Sequence, residues 1–286
     1  MELIKIREEI LEIIDKRQKE LHLTFEEEAH KYTMMDSKGK LRSDFPSVSK
    51  VIKEFYKEFD AEEKSLKKAK GDPAAQKILL AEWAASGDYA TNMGSRAHYN
   101  LEIESLKLFG INKTVRQPIF VCDDEQIETS DNMIAAGIKF LNLMKDRGAL
   151  LLDTETVLGS AELEYTGQPD KIWLIKGKDA VVGFCITDYK TNKPKNFEVQ
   201  WYTEKMYPPF EYLDSTDLGH YYLQLPFYAK LFLNMMKGSK YENIKFLGAV
   251  IVLLKKDASF EEFRIPQKVI TTILEMDMKK YLNQTI

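Results

Sequence analysis

Cysteine is scarce in this chain: Cys122 and Cys185 are the only two in 286 residues. Two thiols cannot make a disulfide framework, a four-cysteine zinc site or a cysteine-ligated iron–sulfur cluster. Long apolar runs are missing as well, since none reaches the roughly 18 residues of a membrane span. The first residues, Met1-Glu2-Leu3-Ile4-Lys5, mix charge with apolar groups and are unlike a signal or transit peptide. A cytoplasmic protein, of a bacterium or a phage-infected host, with no membrane partner is therefore expected. A G-x-x-x-x-G-K-[ST] phosphate loop is absent, so no NTP is expected as a partner. Excess positive charge is lacking too: 41 Lys and Arg against 45 Asp and Glu give a net charge of -4, which argues against a surface that grips nucleic acid everywhere.

What is present suits a globular protein, with 44% hydrophobic residues, enough for a core without staples. Helical periodicity covers 2–20, a strand pattern covers 25–34, and Asp36-Ser37-Lys38-Gly39 reads as a turn. Pro46-Ser47 looks like a helix start, charged helices fill 60–85, and a further helix covers 89–108. A short strand is expected at 115–121 and a helix at 130–147. Strands then dominate, at 151–158, 161–165, 171–175 and 180–187. A helix over 217–237, strands at 246–254 and 260–265 and a terminal helix complete the chain. The fold class is α/β (α+β), with a mainly helical part over 1–88 packed on a core over 89–286.

Chemistry concentrates between Gly167 and Thr191. The strands 171–175 and 180–187 flank a turn-like Gly177-Lys178-Asp179, so antiparallel pairing returns Asp188 to the end of the hairpin where Asp170 sits. Alternate residues of a strand share a face, so Asp188 and Lys190 project together and Tyr189 points away. Two carboxylates and an ammonium at one sheet margin suit phosphodiester hydrolysis, because oxygen ligands hold a hard divalent cation and the lysine steadies negative charge.

Gly94, His98 and Glu102 are spaced four apart on the 89–108 helix and share one stripe. That stripe can offer close approach of another backbone at Gly94, a nitrogen ligand at His98 and a carboxylate at Glu102, directly or through water, or be an exposed helix face. His22, His30 and His220 lack such partners and read as structural. Gln224 and Tyr228 are likewise four apart, on a helix interrupted by Pro226, where they can bond phosphate oxygens or stack a base. Of two lysine groups, the one at 57–77 (Lys64, Lys67, Lys68, Lys70) reads as a solvated face pairing with Glu62 and Glu63. The other, Lys190, Lys193 and Lys195, follows the acidic hairpin directly.

In order, G-x-x-x-H-x-x-x-E, G-x-P-D, D-x-K-T and Q-x-x-x-Y resemble the motifs of the PD-(D/E)XK nuclease superfamily, in its RecB-like branch of phage and mitochondrial exonucleases. Phe45-Pro46-Ser47-Val48-Ser49 is similar to that branch's Pro-Ser-Val-Thr-like helix start, and the resemblance spans 25–228. It implies a restriction-endonuclease-like core, a mixed β-sheet flanked by helices with the site at one edge. It implies Asp170 and Asp188 as catalytic metal ligands, Lys190 as catalytic lysine, His98 and the Tyr189 carbonyl as further ligands, and Glu102 as an assisting acid. Gln224 and Tyr228 would contact the site or DNA, with Lys193 and Lys195 as DNA-binding neighbours. The expected cofactor is Mg2+ or Mn2+, and the expected partner is DNA with a free end. The expected activity is a deoxyribonuclease, an exonuclease of phage or recombination and repair processing. A catalytically idle platform for DNA ends or a partner protein, and a structure-specific endonuclease, are the alternatives. Two cysteines exclude the iron–sulfur members of the branch.

Overall fold

In the computed structural model, which describes residues 2–177 and 181–282, the chain opens with α1 (Glu2–Glu20), whose apolar stripe carries Ile10 and Ile14 into the main core. Three short strands follow, β1 (Thr24–Glu26), β2 (Lys31–Met35) and β3 (Leu41–Arg42), in one antiparallel sheet. The strand expected at 25–34 is thus a hairpin, turned at His30, where φ is 45°. The turn expected at Asp36 forms: its Oδ1 accepts the backbone N–H of Lys38 and of Lys40, and Gly39 adopts a φ of 77°. Ser47 precedes α2 (Val48–Val51), which runs into a 3-10 turn at Ile52–Phe55.

After α3 (Ala61–Lys68) comes α4 (Pro73–Leu108), a single helix of 36 residues where two segments were expected. Asp72 caps it by accepting from Ala74 and Ala75, and Pro73 occupies the first turn, where its missing N–H costs nothing. The helix runs unbroken across the 88/89 boundary, and its buried residues, from Met93 to Leu106, all lie in its second half. The strand expected at 115–121 does not form. Pro118 has no N–H to give a ladder, the Val121 N–H goes to Asn92 Oδ1, and Ile119 is 94% exposed. α5 (Asp124–Asp146) begins six residues before the expected 130 because Asp123 and Gln126 form a reciprocal capping box.

The segment expected as strands 151–158 and 161–165 divides differently. β4 (Leu150–Thr154) joins the main sheet, while β5 (Leu158–Ser160) and β6 (Tyr165–Gly167) pair with each other and 161–164 is their turn, with Glu164 at a φ of 59°. β7 (Lys171–Lys176) and β8 (Val182–Lys190) form the expected antiparallel hairpin, from Lys171↔Thr187 to Lys176↔Val182. Lys178, Asp179 and Ala180, parts of the expected turn and strand start, lie outside the described residues. β8 continues past Thr187 and carries Asp188, Tyr189 and Lys190 as strand residues. α6 (Asp217–Met236) passes through Pro226, held by buried Leu225, Pro226 and Phe227. β9 (Lys245–Leu254), β10 (Phe260–Arg264), α7 (Gln267–Glu275) and α8 (Lys279–Leu282) follow.

The main sheet has the order β10-β9-β8-β7-β4 and is mixed, since β8 and β9 are parallel and the other pairs antiparallel. A parallel pair needs a crossover, and α6 provides it. Strand alternation splits the apolar residues between two cores. Ile172, Leu174, Phe184 and Ile186 face α1, α6 and α7, while Trp173, Cys185 and Tyr189 face α4 and α5. Burial on both faces is why the central strands read as near-continuous apolar runs. The fold is α/β, a mixed sheet flanked by helices. Among the described residues, no helix is long and apolar enough to cross a membrane.

Candidate active site

The register Lys171↔Thr187 brings Asp170, just before β7, and Asp188, near the end of β8, to one margin of the sheet. Asp170 is pinned there: its Oδ2 accepts the backbone N–H of Tyr189 at 2.9 Å, and His98 Nδ1 on α4 lies 3.3 Å from the same oxygen. Gly94, one turn before His98, faces the end of β8, and a Cβ there would stand 3.0 Å from Thr191 Oγ1. The close neighbour that this glycine admits is a side chain. Glu102, one turn after His98, accepts the Thr154 hydroxyl at 2.9 Å.

Glu155 completes this corner, and the sequence reading missed it. It follows β4 in the left-handed region at φ 46°, and its N–H donates to the Asp170 carbonyl at 3.1 Å. One ligand atom each of His98, Glu155 and Asp170 lies within 4.8 Å of the others. Asp188, expected among the ligands, stands outside that trio and forms an ion pair with Lys190. The Lys190 ammonium is in close contact with the buried Asp188 Oδ2 and compensates its charge. A nitrogen and two carboxylates gathered this closely fit a hard divalent cation at this corner.

Burial and mutual repulsion set the charges. Burial pushes the Glu155 carboxyl well above the usual range, and the Asp170 and Glu102 charges push it further. Its side chain opens to the cleft yet lies deep in surrounding protein, and the depth governs its titration. Asp170 feels the same burial, but His98, Lys190 and Lys171 outweigh it and hold the carboxyl low. Burial and then Asp170 push Asp188 up to about 6, against the pull of Lys190. The Lys190 ammonium is disfavoured by burial, yet Asp188 and Asp170 win and raise its pKa, so it keeps its proton. Lys171 is a second buried cation; burial lowers its pKa, and its Nζ sits 4.2 Å from the centre of the Tyr189 ring.

α6 closes the other side. Lys190 donates to Gln224 Oε1 at 3.5 Å and lies 4.3 Å over the Tyr221 ring, and Gln224 Nε2 donates to the Tyr228 hydroxyl at 2.9 Å. Tyr228 is buried, so its ring is not free to stack a base and bears on the site through Gln224. A Cβ at Gly167 would meet the Tyr228 ring at 2.6 Å, which gives the glycine of G-x-P-D its physical reason. Lys193 and Lys195 stand exposed beyond the end of β8. In the other lysine group, Lys68 lies 5.7 Å over the Trp83 ring.

A cleft of about 710 Å³ opens over His98, Glu102 and Glu155. Its walls include the β1–β2 hairpin, with Glu27 and His30, and the segment 113–116. That segment is tied down at both ends: Lys113 bonds the Asp153 carboxylate at 3.1 Å, and Arg116 reaches Glu28 at 2.6 Å and Glu27 at 3.8 Å. His30 therefore lines the cleft, whereas His22 lies outside it at a positive φ of 48°.

His220 stacks on Tyr56 at 3.6 Å and shares a hydrogen bond with Ser215 at 2.9 Å. Burial lowers its pKa to about 4, from about 6.5 when unfolded. The unfolded chain thus binds the extra proton between those values, so this contribution is complete above pH 6.5 and lost as pH falls towards 4. His220→Phe keeps the stacking, and thermal melts from pH 4 to 7 should show a flatter profile, by on the order of 2 kcal/mol across the window. An unchanged slope would remove His220 as the cause.

No family model and no curated protein matches the chain.

Proposed function

We propose that the protein is a metal-dependent deoxyribonuclease with a restriction-endonuclease-like core. The observation that carries this reading is the trio His98, Glu155 and Asp170, with ligand atoms within 4.8 Å of one another, at the sheet margin that also holds the buried Asp188–Lys190 ion pair. Mg2+ or Mn2+ is the cation in this reading, held by that trio with Asp188 and the Tyr189 carbonyl adjoining. Such an ion supplies Lewis acidity to the phosphoryl group and makes water a competent nucleophile at neutral pH.

The side chains divide the remaining work. Asp170 stays ionised because cations surround it, so it is ready to bind metal without losing a proton first. Lys190 keeps its proton and therefore serves as a donor that orients water and offsets developing negative charge, not as a base. Gln224, backed by Tyr228, holds that ammonium in place. The substrate is DNA with a free end, cut by an exonuclease of phage or recombination and repair processing in the cytoplasm. Lys193 and Lys195 would meet its phosphates. The idle-platform alternative is disfavoured by the completeness of the set, for no acid, lysine or histidine of the expected constellation is missing.

Digestion of 5′- and 3′-labelled DNA, single- and double-stranded, linear and circular, tests the reading. Cleavage is expected with Mg2+ or Mn2+ and none with EDTA. Linear substrates should be degraded and circles resist, whereas cut circles would make the protein an endonuclease. Intact DNA under every metal condition would leave only the platform.

A further inference from the structure

Trp201 is 95% exposed and Tyr202 67% exposed, although the segment that bears them is firmly built. The Gln200 N–H donates to Thr203 Oγ1 at 2.8 Å, and the Thr203 N–H donates to the Gln200 carbonyl at 2.9 Å. The two central positions of such a turn face water and ordinarily carry Gly, Asn, Asp or Pro. Here they carry an indole and a phenol, whose ring centres lie 5.4 Å apart at an interplanar angle of 89°. Anchors stand on both sides. Phe197 packs on Tyr221 at 5.9 Å, Asn196 donates to Asp217 at 3.1 Å, and Met206, with its N–H bonded to the Leu213 carbonyl, is buried. The rings are therefore presented by an ordered turn.

The foot of this turn adjoins the candidate active site. Lys190 lies over the Tyr221 ring, which packs on Phe197, so two ring contacts separate the ammonium from the anchor of the turn. Thr191 and Asn192 line the cleft, and exposed Lys193 and Lys195 occupy the chain between cleft and turn. A strand leaving the cleft along this path would meet two cations suited to phosphates, pass the exposed carboxylate of Glu198, and then reach two exposed aromatic rings. Every base has a π-face, and rings beside a basic track are how proteins hold unpaired strands. In a duplex those faces are covered by stacking neighbours.

We infer that Trp201 and Tyr202 form a stacking platform for unpaired bases of the DNA strand whose backbone enters the cleft. This rests on the nuclease reading for its substrate. Binding, however, can be read without catalysis. Tryptophan fluorescence is titrated in EDTA with an oligodeoxythymidine of about 20 nucleotides and with a blunt duplex. Trp173 is fully buried, and Trp201 is the most exposed indole.

The oligonucleotide should quench wild-type emission. Trp201→Ala should lose most of that quench and weaken binding about tenfold. Trp201→Phe should lose the quench yet bind within about threefold of wild type, which ties the effect to stacking. Duplex binding should not respond to either change. In Mn2+, Trp201→Ala should raise KM for single strands about tenfold with kcat within twofold. Oligonucleotide affinity and KM unchanged in Trp201→Ala would overturn the platform and leave the turn as a surface for a protein partner. Should wild type cleave while the variant matches it, the platform falls and the nuclease stands. Should wild type cleave nothing while the quench depends on Trp201, the nuclease reading falls and the platform stands as a binding surface.

Discussion

Lys190→Ala is expected to lower metal-dependent DNA cleavage by about 10³-fold, chiefly in kcat, because it removes a donor aimed at charge that develops during the reaction. The same substitution strips the ammonium paired with Asp188, a buried carboxylate already raised to about 6. An uncompensated buried charge is costly, so Asp188 should titrate higher still, and the activity left should need a more alkaline pH. Asp188→Asn gives the complementary test. It should lower cleavage to a similar degree while keeping shape and volume, and circular dichroism should match wild type. Steady-state kinetics on labelled DNA from pH 5 to 9 measures both effects. Full activity in either folded variant would remove the hairpin from the chemistry.

The hairpin that carries these residues was legible because its signals are local. Runs rich in Ile, Val, Trp and Phe over 171–175 and 180–187, on either side of a turn-like Gly177, predict pairing, and pairing alone puts Asp170 and Asp188 at one margin. His98 was legible for a similar reason, since its relation to Gly94 and Glu102 is a single helical stripe. Glu155 was not. It reaches Asp170 because β4 pairs with β7, with Thr154 opposite Lys171, across more than a dozen intervening residues. No local pattern announces that pairing. The short β5–β6 hairpin between them also disguises it, since the apolar run appeared to continue from 151 to 158.

Two further mismatches have physical causes of the same sort. The apolar residues at 115–121 looked like a strand, but a strand needs a neighbour, and Pro118 with an outward Ile119 has none. α4 looked like two helices because its first half buries no residue and its second half carries the core contacts. Propensity and capping continue the helix where packing does not. Which acids gather at His98 could not be read either. Strand alternation places Asp188 beside Lys190, and it says nothing of which acid the histidine helix will meet.

Glu155→Gln is expected to change stability and metal response in opposite directions. The Glu155 carboxyl is raised in the fold above its unfolded value of about 4.3. Here the sign is that of a raised acid: the folded protein binds the proton more tightly, so stability is lost as pH climbs from about 4.3 towards the folded pKa. Glutamine keeps the shape and cannot ionise, so the metal-free variant should melt above wild type at pH 7, by about 1–2 kcal/mol, and the gap should close near pH 4. Its response to Mn2+ should shrink, because stabilisation by a ligand follows RT ln(1 + [L]/Kd) and one anionic ligand is gone. Cleavage should fall by about 10²-fold with it. Differential scanning calorimetry with EDTA and with millimolar Mn2+ separates the terms. A merely structural acid would behave in the reverse way, since its loss would lower the melting temperature and leave the Mn2+ shift intact. A rise in one quantity with a fall in the other is what a carboxylate kept for a cation must give, because the burial that raises its pKa is a cost to the metal-free fold.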